Sequence, residues 1–310
     1  MTFDNIRCFL TAAEEMNFTR AAQKLYISQQ TLSGHIAKIE EEYGCKLFNR
    51  TPPLSLTPEG IIFLEKAQSL SNMEKELRKE LVDLRDFQNG NLSIGITRSR
   101  GSTYLTPVLS KFHEIYPNIR LEVVEGSVSE IEEALLKAKV DVTVGFPPQN
   151  RKNVESLVIT REHVSAIIPP SIMDSQLIQY KYKLLPDGRK VDWMLFKDCP
   201  FVSVDSRFEA GKPFVTICET LGISPQIILE TKSVDTALQF CLAGLGILVC
   251  PEVFINAYKN KTNNQPFYIY PWDDSLSKDI CVNYLKSKYC SMATRKFISM
   301  MMNAYQASKP

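Results

Sequence analysis

Apolar residues recur at two different periods along this chain, and the change of period divides it. Phe3, Ile6, Phe9, Leu10, Ala13 and Met16 fall at intervals of three and four, which marks one face of an amphipathic helix. From Phe18 to Glu41 the helical period continues but is interrupted. Ala21, Ala22 and Leu25 group on one side of a short helix that Thr19 is placed to cap. After Tyr26-Ile27, Ser28 offers a second cap, and Leu32, Ile36, Ile39 and Tyr43 carry the stripe onward. The pattern predicts two helices that cross closely at the adjacent alanines. The face opposite the second stripe holds Gln30, Ser33, Gly34 and Lys38, with Gln29 and Thr31 at its exposed N-terminal end. Short donors and acceptors of this kind suit base edges and phosphates in a major groove. On these residues alone, an ordinary helical hairpin with a solvated polar face reads equally well.

Cys45 to Leu47 and Leu54 to Leu56 are short apolar pieces on either side of Pro52-Pro53, the pattern of a small two-stranded wing. Thr57-Pro58-Glu59 then starts a helix by its chemistry, with a hydroxyl cap, a proline at the first position and an acid in the first turn. The helix is expected to run to about Phe87, roughly 45 Å. Along it Phe63, Ala67, Leu70, Glu74, Leu77, Leu81 and Leu84 alternate spacings of four and three, a heptad seam with one polar intruder. It reads as a dimerisation helix, against the alternative of a helix buried on the following domain. Gln88-Asn89-Gly90-Asn91 breaks it and offers a hinge.

From Leu92 the period alternates between two and 3.6. Strands are expected at Leu92 to Ile96, Ile119 to Val123 and Val140 to Val144, with helices through Leu105 to Phe112 and Ile131 to Ala138. A second set follows, with strands at Val164 to Ile168, Phe201 to Val204, Ile227 to Leu229 and Ile247 to Val249, and helices near Phe214 to Leu221 and Val234 to Leu242. Strands alternating with helices predict a parallel α/β sheet. The tail, Phe267 to Tyr270, Ile280 to Leu285 and a helix from about Met292 to Tyr305, is expected to return to the first lobe. The stretch from Ser171 to Lys197 reads as an irregular, partly helical insertion.

The ordered residues Phe18-Thr19-Arg20-Ala21-Ala22, Leu25, Ser28-Gln29, Ser33, Ile36, Ile39-Glu40, Gly44, Leu47-Phe48, Arg50, Leu56-Thr57 and Gly60 resemble the N-terminal signature of LysR-type transcriptional regulators. The resemblance implies a winged helix-turn-helix in which Ser28 to Tyr43 is the recognition helix and Lys46 to Leu56 the wing. Gly34 stands where many members carry a basic residue, and Thr51-Pro52-Pro53 replaces a basic wing tip. Asp141-Val142-Thr143-Val144-Gly145 and Ala243-Gly244-Leu245-Gly246-Ile247-Leu248-Val249-Cys250-Pro251 echo the family's two-lobed, periplasmic-binding-protein-like α/β effector domain. The expected organisation is a DNA-binding domain over 1–57, a dimerisation helix and hinge over 58–90, and an effector domain over 91–310.

Length and charge sharpen this picture. At 310 residues the chain is long enough for two or three cored domains. Within residues 1–58, six basic side chains (Arg7, Arg20, Lys24, Lys38, Lys46, Arg50) are balanced by six acidic ones (Asp4, Glu14, Glu15, Glu40, Glu41, Glu42). Phosphate neutralisation supplies most non-specific affinity, so this domain is expected to bind DNA weakly as a monomer. The acidic first helix is no export leader, and no apolar run reaches the ~20 residues a bilayer requires, so a soluble cytoplasmic protein with no membrane partner is expected. The eight cysteines include no Cys-x-x-Cys pair and read mainly as small buried hydrophobes. Cys199 and Cys218 lie where some LysR-type members carry a sensing pair, but their spacing is unlike that pair's.

In an open α/β sheet, ligands bind beyond the carboxyl ends of the strands. That rule selects Thr97-Arg98-Ser99-Arg100-Gly101-Ser102-Thr103, which offers hydroxyls, amides and two arginines to an anion. The family resemblance points to the same loop, with Ser127, Val128, Phe146, Val202 and Ser203 on the facing walls. The expected effector is a small molecule, with carboxylates among the candidates, held by Thr97, Ser99, Arg100 and the amides near Ser102. A solvated loop without a ligand is the alternative. At the DNA, Ser28, Gln29, Gln30, Thr31, Ser33, His35 and Lys38 are expected at the groove and Arg20 and Arg50 at phosphates; His35 packing beside the first helix is the competing reading. Gly244 and Gly246 lack the third glycine of a dinucleotide fingerprint, and Ser275-Leu276-Ser277-Lys278 matches Ser-x-x-Lys by letter only. No cofactor, metal site or catalytic constellation is expected. The sequence thus predicts a non-enzymatic, homodimeric or homotetrameric regulator that binds double-stranded DNA and answers a small effector. The rivals are an α/β small-molecule-binding protein or enzyme whose N-terminal helices serve only for assembly, and a pure oligomerisation scaffold.

Overall fold

The computed structural model describes residues 1–51, 53–85, 90–177, 192–259, 267–272 and 274–306. The chain forms two compact units, the first holding Met1–Asn89 with the short segment Lys137–Lys139, the second the remainder from Gly90.

In the first unit α1 (Phe3–Glu15), α2 (Phe18–Lys24) and α3 (Gln29–Tyr43) pack around Phe9, Ala12, Ala21, Leu32, Ile36 and Ile39, each fully buried. The adjacent alanines Ala21 and Ala22 are both buried, and small side chains there let α2 lie close against its neighbours. Asn17, not Thr19, caps α2, because its carboxamide accepts the Arg20 amide at 3.0 Å while Thr19 already lies inside the first turn. Ser28 caps α3 as expected, accepting the Thr31 amide at 3.0 Å. Tyr43 departs from the expected core stripe: it stays half exposed and meets Phe63 edge-on instead. The wing strands β1 (Phe48–Asn49) and β2 (Ser55–Leu56) pair antiparallel, β1 just beyond the expected Cys45 to Leu47 and β2 within the expected Leu54 to Leu56. Phe48 is drawn inward by the rings of Phe9 at 5.3 Å and Phe18 at 5.2 Å, which fixes that register.

Helix α4 (Pro58–Arg85) begins at Thr57, whose hydroxyl accepts the Gly60 amide at 3.0 Å. Its first turns join the winged core through Phe63, Leu64 and Ala67. Farther along, Leu70, Met73, Leu77 and Leu81 are exposed, the last three by half or more. The side chain of Leu84, the helix's expected end near Phe87 and the Gln88-Asn89 break lie outside the described residues.

The second unit holds two five-stranded sheets, ordered β4-β3-β5-β12-β6 and β11-β7-β10-β8-β9. In the first lobe β3 (Gly90–Thr97) pairs parallel with β4 (Ile119–Gly126) and β5 (Val142–Gly145). Helices α5 (Arg98–Tyr104), α6 (Thr106–Ile115) and α7 (Val128–Leu136) supply the crossovers, and α12 (Met292–Gln306) packs back onto this lobe. In the second lobe β8 (Pro200–Val204) pairs parallel with β9 (Gln226–Thr231) and β10 (Ile247–Pro251), with α9 (Lys212–Leu221), α10 (Val234–Leu242) and α11 (Glu252–Lys259) between and after them.

Two expectations are corrected here, and one strand that the pattern did not disclose is added. The sheets are mixed, because β6 (Val154–Glu162) and β12 (Lys278–Leu285) run antiparallel to their neighbours in one, and β7 (Val164–Ile168) and β11 (Tyr268–Pro271) do so in the other. Strand β6 escapes the sequence pattern because a bulge opposite Ile280/Cys281 disturbs its alternation. The Phe267 to Tyr270 stretch stays in the second lobe as β11, and only β12 and α12 return to the first. Alternation identifies a strand but not its sheet, and the crossing occurs after Pro271. Of the insertion, residues 178–191 lie outside the described residues; a short helix α8 (Pro170–Gln176) and a 3-10 turn (Trp193–Phe196) flank it, both packed into the second-lobe core.

Candidate nucleic-acid interface and effector cleft

In α3 the buried stripe of Leu32, Ile36 and Ile39 fixes which face is left outward. Gln29, Gln30, Thr31 and Lys38 are exposed on its first turns and outer face, and Ser33 is half-buried beside them. Ser28 is spent on the cap, its hydroxyl also lying 2.8 Å from that of Thr31. A Cβ on Gly34 would meet nothing within 4 Å, so the glycine is not imposed by packing. His35 sits differently: its carbonyl accepts the Asn5 side-chain amide at 3.2 Å, and its ring Nδ1 is buried without a partner. Arg20 is exposed but donates to the Glu15 carbonyl at 2.7 Å. Arg50 is half exposed, lies 5.7 Å over the Phe18 ring and reaches Glu40 at 3.4 Å.

Tyr26, which sequence reasoning passed over, occupies the turn between α2 and α3. It is 96% exposed and holds a left-handed φ of +57°. Asparagine or glycine would adopt that conformation at less cost. An aromatic residue in a turn just before a capping serine is the signal that marks it in the sequence.

At the carboxyl ends of β3 and β5, the structure brings Thr97, Arg100, Val128 and Phe146 around one recess beneath α7, with Thr143 and Glu132. Its free volume, about 30 Å³, admits a water or two rather than an effector. The expected loop after Thr97 is helix α5. Thr97 precedes it without a side-chain cap, and its hydroxyl oxygen is buried and unpartnered. Ser102 is exposed on α5, and Ser127 caps α7 by accepting the Glu130 amide at 3.3 Å. Val202 and Ser203 do not join the recess: Val202 belongs to the second-lobe core, and the buried Ser203 hydroxyl donates to the Val204 carbonyl at 3.3 Å.

Arg100 is not a free anion receptor. Its guanidinium, 2% exposed, forms a two-pronged pair with Glu162 at 2.9 and 2.7 Å, and Tyr104 donates to the same carboxylate at 2.9 Å. Its cationic face meets Phe146 at 4.7 Å and Phe254 of α11 at 5.6 Å, so it ties the first lobe to the crossover strand and to the second lobe. Lys278, at the return crossing, lies 5.0 Å from the centre of the Phe146 ring and bonds Glu209 at 3.1 Å.

The two crossings between lobes also meet. His163 Nδ1 lies 3.1 Å from Asp274 and 3.0 Å from the Ser277 hydroxyl. A hydrolytic relay requires serine and acid on opposite ring nitrogens, whereas here both address the same one. Cys199 and Cys218 are buried, and burial pushes both thiols up to about 11, away from the thiolate a sensor uses. Among the described residues no helix is long and apolar enough to cross a membrane.

Comparison with known proteins decides what this arrangement is. Residues 3–61 match the profile described as bacterial regulatory helix-turn-helix protein, lysR family, and residues 85–306 that of the LysR substrate binding domain. The chain belongs to the LysR family. An uncharacterized HTH-type transcriptional regulator, YcgK of Bacillus subtilis, is 27% identical over 297 residues, covering 93% of this chain and 90% of that protein. A probable RuBisCO transcriptional regulator of Trieres chinensis is 33% identical over 253 residues, 79% of each. Full-length OxyR C199D from Pseudomonas aeruginosa shares the fold with a TM-score of 0.68 at 19% identity, covering 99% of this chain and 95% of that one. A LysR-family chain with both domains is a DNA-binding transcriptional regulator that carries an effector-binding domain, and neither the site geometry nor the relatives point to catalysis.

Proposed function

We propose that this LysR-family regulator acts in the cytoplasm as a homo-oligomer on double-stranded DNA, with α3 entering the major groove. In this reading Gln29, Gln30, Thr31, Ser33 and Lys38 address the groove, Ser28 orders the first turn, and Arg20 and Arg50 meet phosphates. His35, tied to α1 through its carbonyl, serves the groove from its edge. The observation that carries the reading is the polar, exposed first turn of α3 standing on a fully buried apolar stripe. The domain's balance of charge makes pairing of two such domains necessary for affinity, and the exposed Leu70, Met73, Leu77 and Leu81 on α4 supply an apolar seam for it. Anisotropy titrations against duplex DNA test this. Gln29→Ala is expected to relax sequence preference, and Arg50→Ala to weaken binding to all sequences with a salt slope lower by about one. Absence of binding at low salt would refute it.

The effector in this reading is a small molecule, carboxylates included, that engages Thr97, Ser99 and the free amides of the first turn of α5, not those near Ser102, which the helix itself uses, and widens the recess beside Phe146. Arg100, already paired with Glu162, holds the wall of the site rather than the ligand. An effector shifts the regulator only by its differential affinity for two arrangements of the lobes. Thermal-shift screening of small carboxylic acids against wild type, Thr97→Val and Ser99→Ala tests the placement; acids that bind all three equally would contradict it.

A further inference from the structure

Glu40 is a buried carboxylate in a DNA-binding domain with no positive charge to spare. Its side chain is 2% exposed at the last turns of α3, and it holds Lys46, Leu47 and Arg50, all from the wing. One oxygen accepts the Leu47 amide at 3.0 Å; the other accepts Lys46 Nζ at 3.0 Å and Arg50 Nη2 at 3.4 Å. Burial pushes the carboxyl up, but the Leu47 amide and Lys46 more than offset this and hold it below the usual carboxylate range. The two cations are not consumed. Lys46 remains 75% exposed and Arg50 49%, and a guanidinium with one N–H engaged keeps four to offer. The guanidinium of Arg50 also lies over the ring of Phe18, 5.7 Å from its centre.

We infer that Glu40 is a positioning residue for DNA binding, holding Arg50 and Lys46 in the orientation in which they meet the phosphate backbone beside the groove that receives α3. The inference rests on the DNA-binding reading above. A long cationic side chain loses less freedom on binding a phosphate when a buried partner has already restricted it. Coulomb's law alone argues the opposite for this residue, since a negative charge near a polyanion repels it. The two accounts therefore differ in sign.

The test is anisotropy titration of the full-length protein with a mixed-sequence duplex over a range of salt, for wild type, Glu40→Gln, Glu40→Asp and Arg50→Ala/Lys46→Met, and for Glu40→Gln added to that double variant. Gln keeps the shape of Glu and can still accept the Leu47 amide; Asp keeps the charge but shortens the reach. Positioning predicts that Glu40→Gln weakens binding roughly five- to tenfold and lowers the salt slope by about one, that Glu40→Asp weakens it in the same direction, and that Glu40→Gln has no further effect once Arg50 and Lys46 are gone. Binding as tight as wild type or tighter, or an equal loss in the Arg50→Ala/Lys46→Met background, overturns the inference. So does a lower melting temperature with unchanged affinity well below it, which would mark a purely structural contact. Failure of the wild type itself to bind the duplex would instead overturn the DNA-binding reading.

Discussion

Gly60→Ala separates packing from helix propensity, because the two predict opposite signs. Gly60 lies buried in the first turn of α4, and alanine is favoured over glycine inside a helix by about 1 kcal/mol. Propensity alone therefore predicts stabilisation. A Cβ at this position, however, would lie 2.0 Å from the Leu47 carbonyl oxygen and 3.2 Å from Leu56 Cδ2. The oxygen cannot yield easily: it accepts the Thr57 amide at 3.1 Å, Leu47 is 1% exposed, and the Leu47 amide is held by Glu40. Relief requires α4 to withdraw from the wing. Overpacking of this kind costs about 1–3 kcal/mol and loss of the Thr57 to Leu47 bond about 1 more, which leaves a net loss of roughly 1–3 kcal/mol after propensity is credited. For a domain of this size that corresponds to a melting point lower by about 5–15 °C. Calorimetry measures it, and tryptophan fluorescence supplies the control, since both tryptophans, Trp193 and Trp272, lie in the second unit. An N-terminal transition that is unchanged or raised would refute the packing argument.

Further outcomes follow from the same geometry. Tyr26→Asn relieves a left-handed backbone strain and is expected to raise the melting point of the first unit by a few degrees, about 0.5–1 kcal/mol; no rise would mean the turn is not strained. Arg100→Met leaves Glu162 buried without its counter-charge and is expected to cost the second unit about 3–5 kcal/mol, most of which Arg100→Met/Glu162→Leu recovers; additive losses in tryptophan-detected unfolding would contradict this. Hydrogen bonds from Arg207 hold Asp205 down to about 2 from 3.8. Its folded value is depressed, so its contribution to stability is complete above pH ~4 and fades as pH falls toward 2. Asp205→Asn is expected to flatten the acid limb of the stability profile there, and an unaltered limb would count against the pairing.

Much of the first unit was legible because each turn of α3 places one large apolar residue inward and a polar one outward, and local spacing alone encodes that. Asn17 was hidden behind Thr19 because two capping residues stood two positions apart and only the fold determines which lies outside the helix. In the second unit the elements were legible but their partners were not. Nothing in Tyr268–Pro271 distinguishes a strand that stays from one that returns, and β6 was masked by its bulge. At the cleft, the strand-end rule led to Thr97 and the family resemblance to Phe146, and the two line one recess. The fate of Arg100 was invisible, since its partner Glu162 lies 62 residues away in a strand the pattern did not disclose. Glu40 entered the sequence reading only as one signature residue and one acid among six; its role depends on three partners within ten residues that become neighbours only when the wing folds back.

The central claim is that α3 selects DNA sequence on behalf of a paired molecule. Selection of genomic fragments bound by the full-length protein, run beside Gln29→Ala, tests it most directly. The account predicts that wild type enriches sites sharing a two-fold motif with half-sites spaced by whole helical turns, and that Gln29→Ala blurs the motif while retaining binding. Fragments with no common motif, or identical motifs from both proteins, would contradict it.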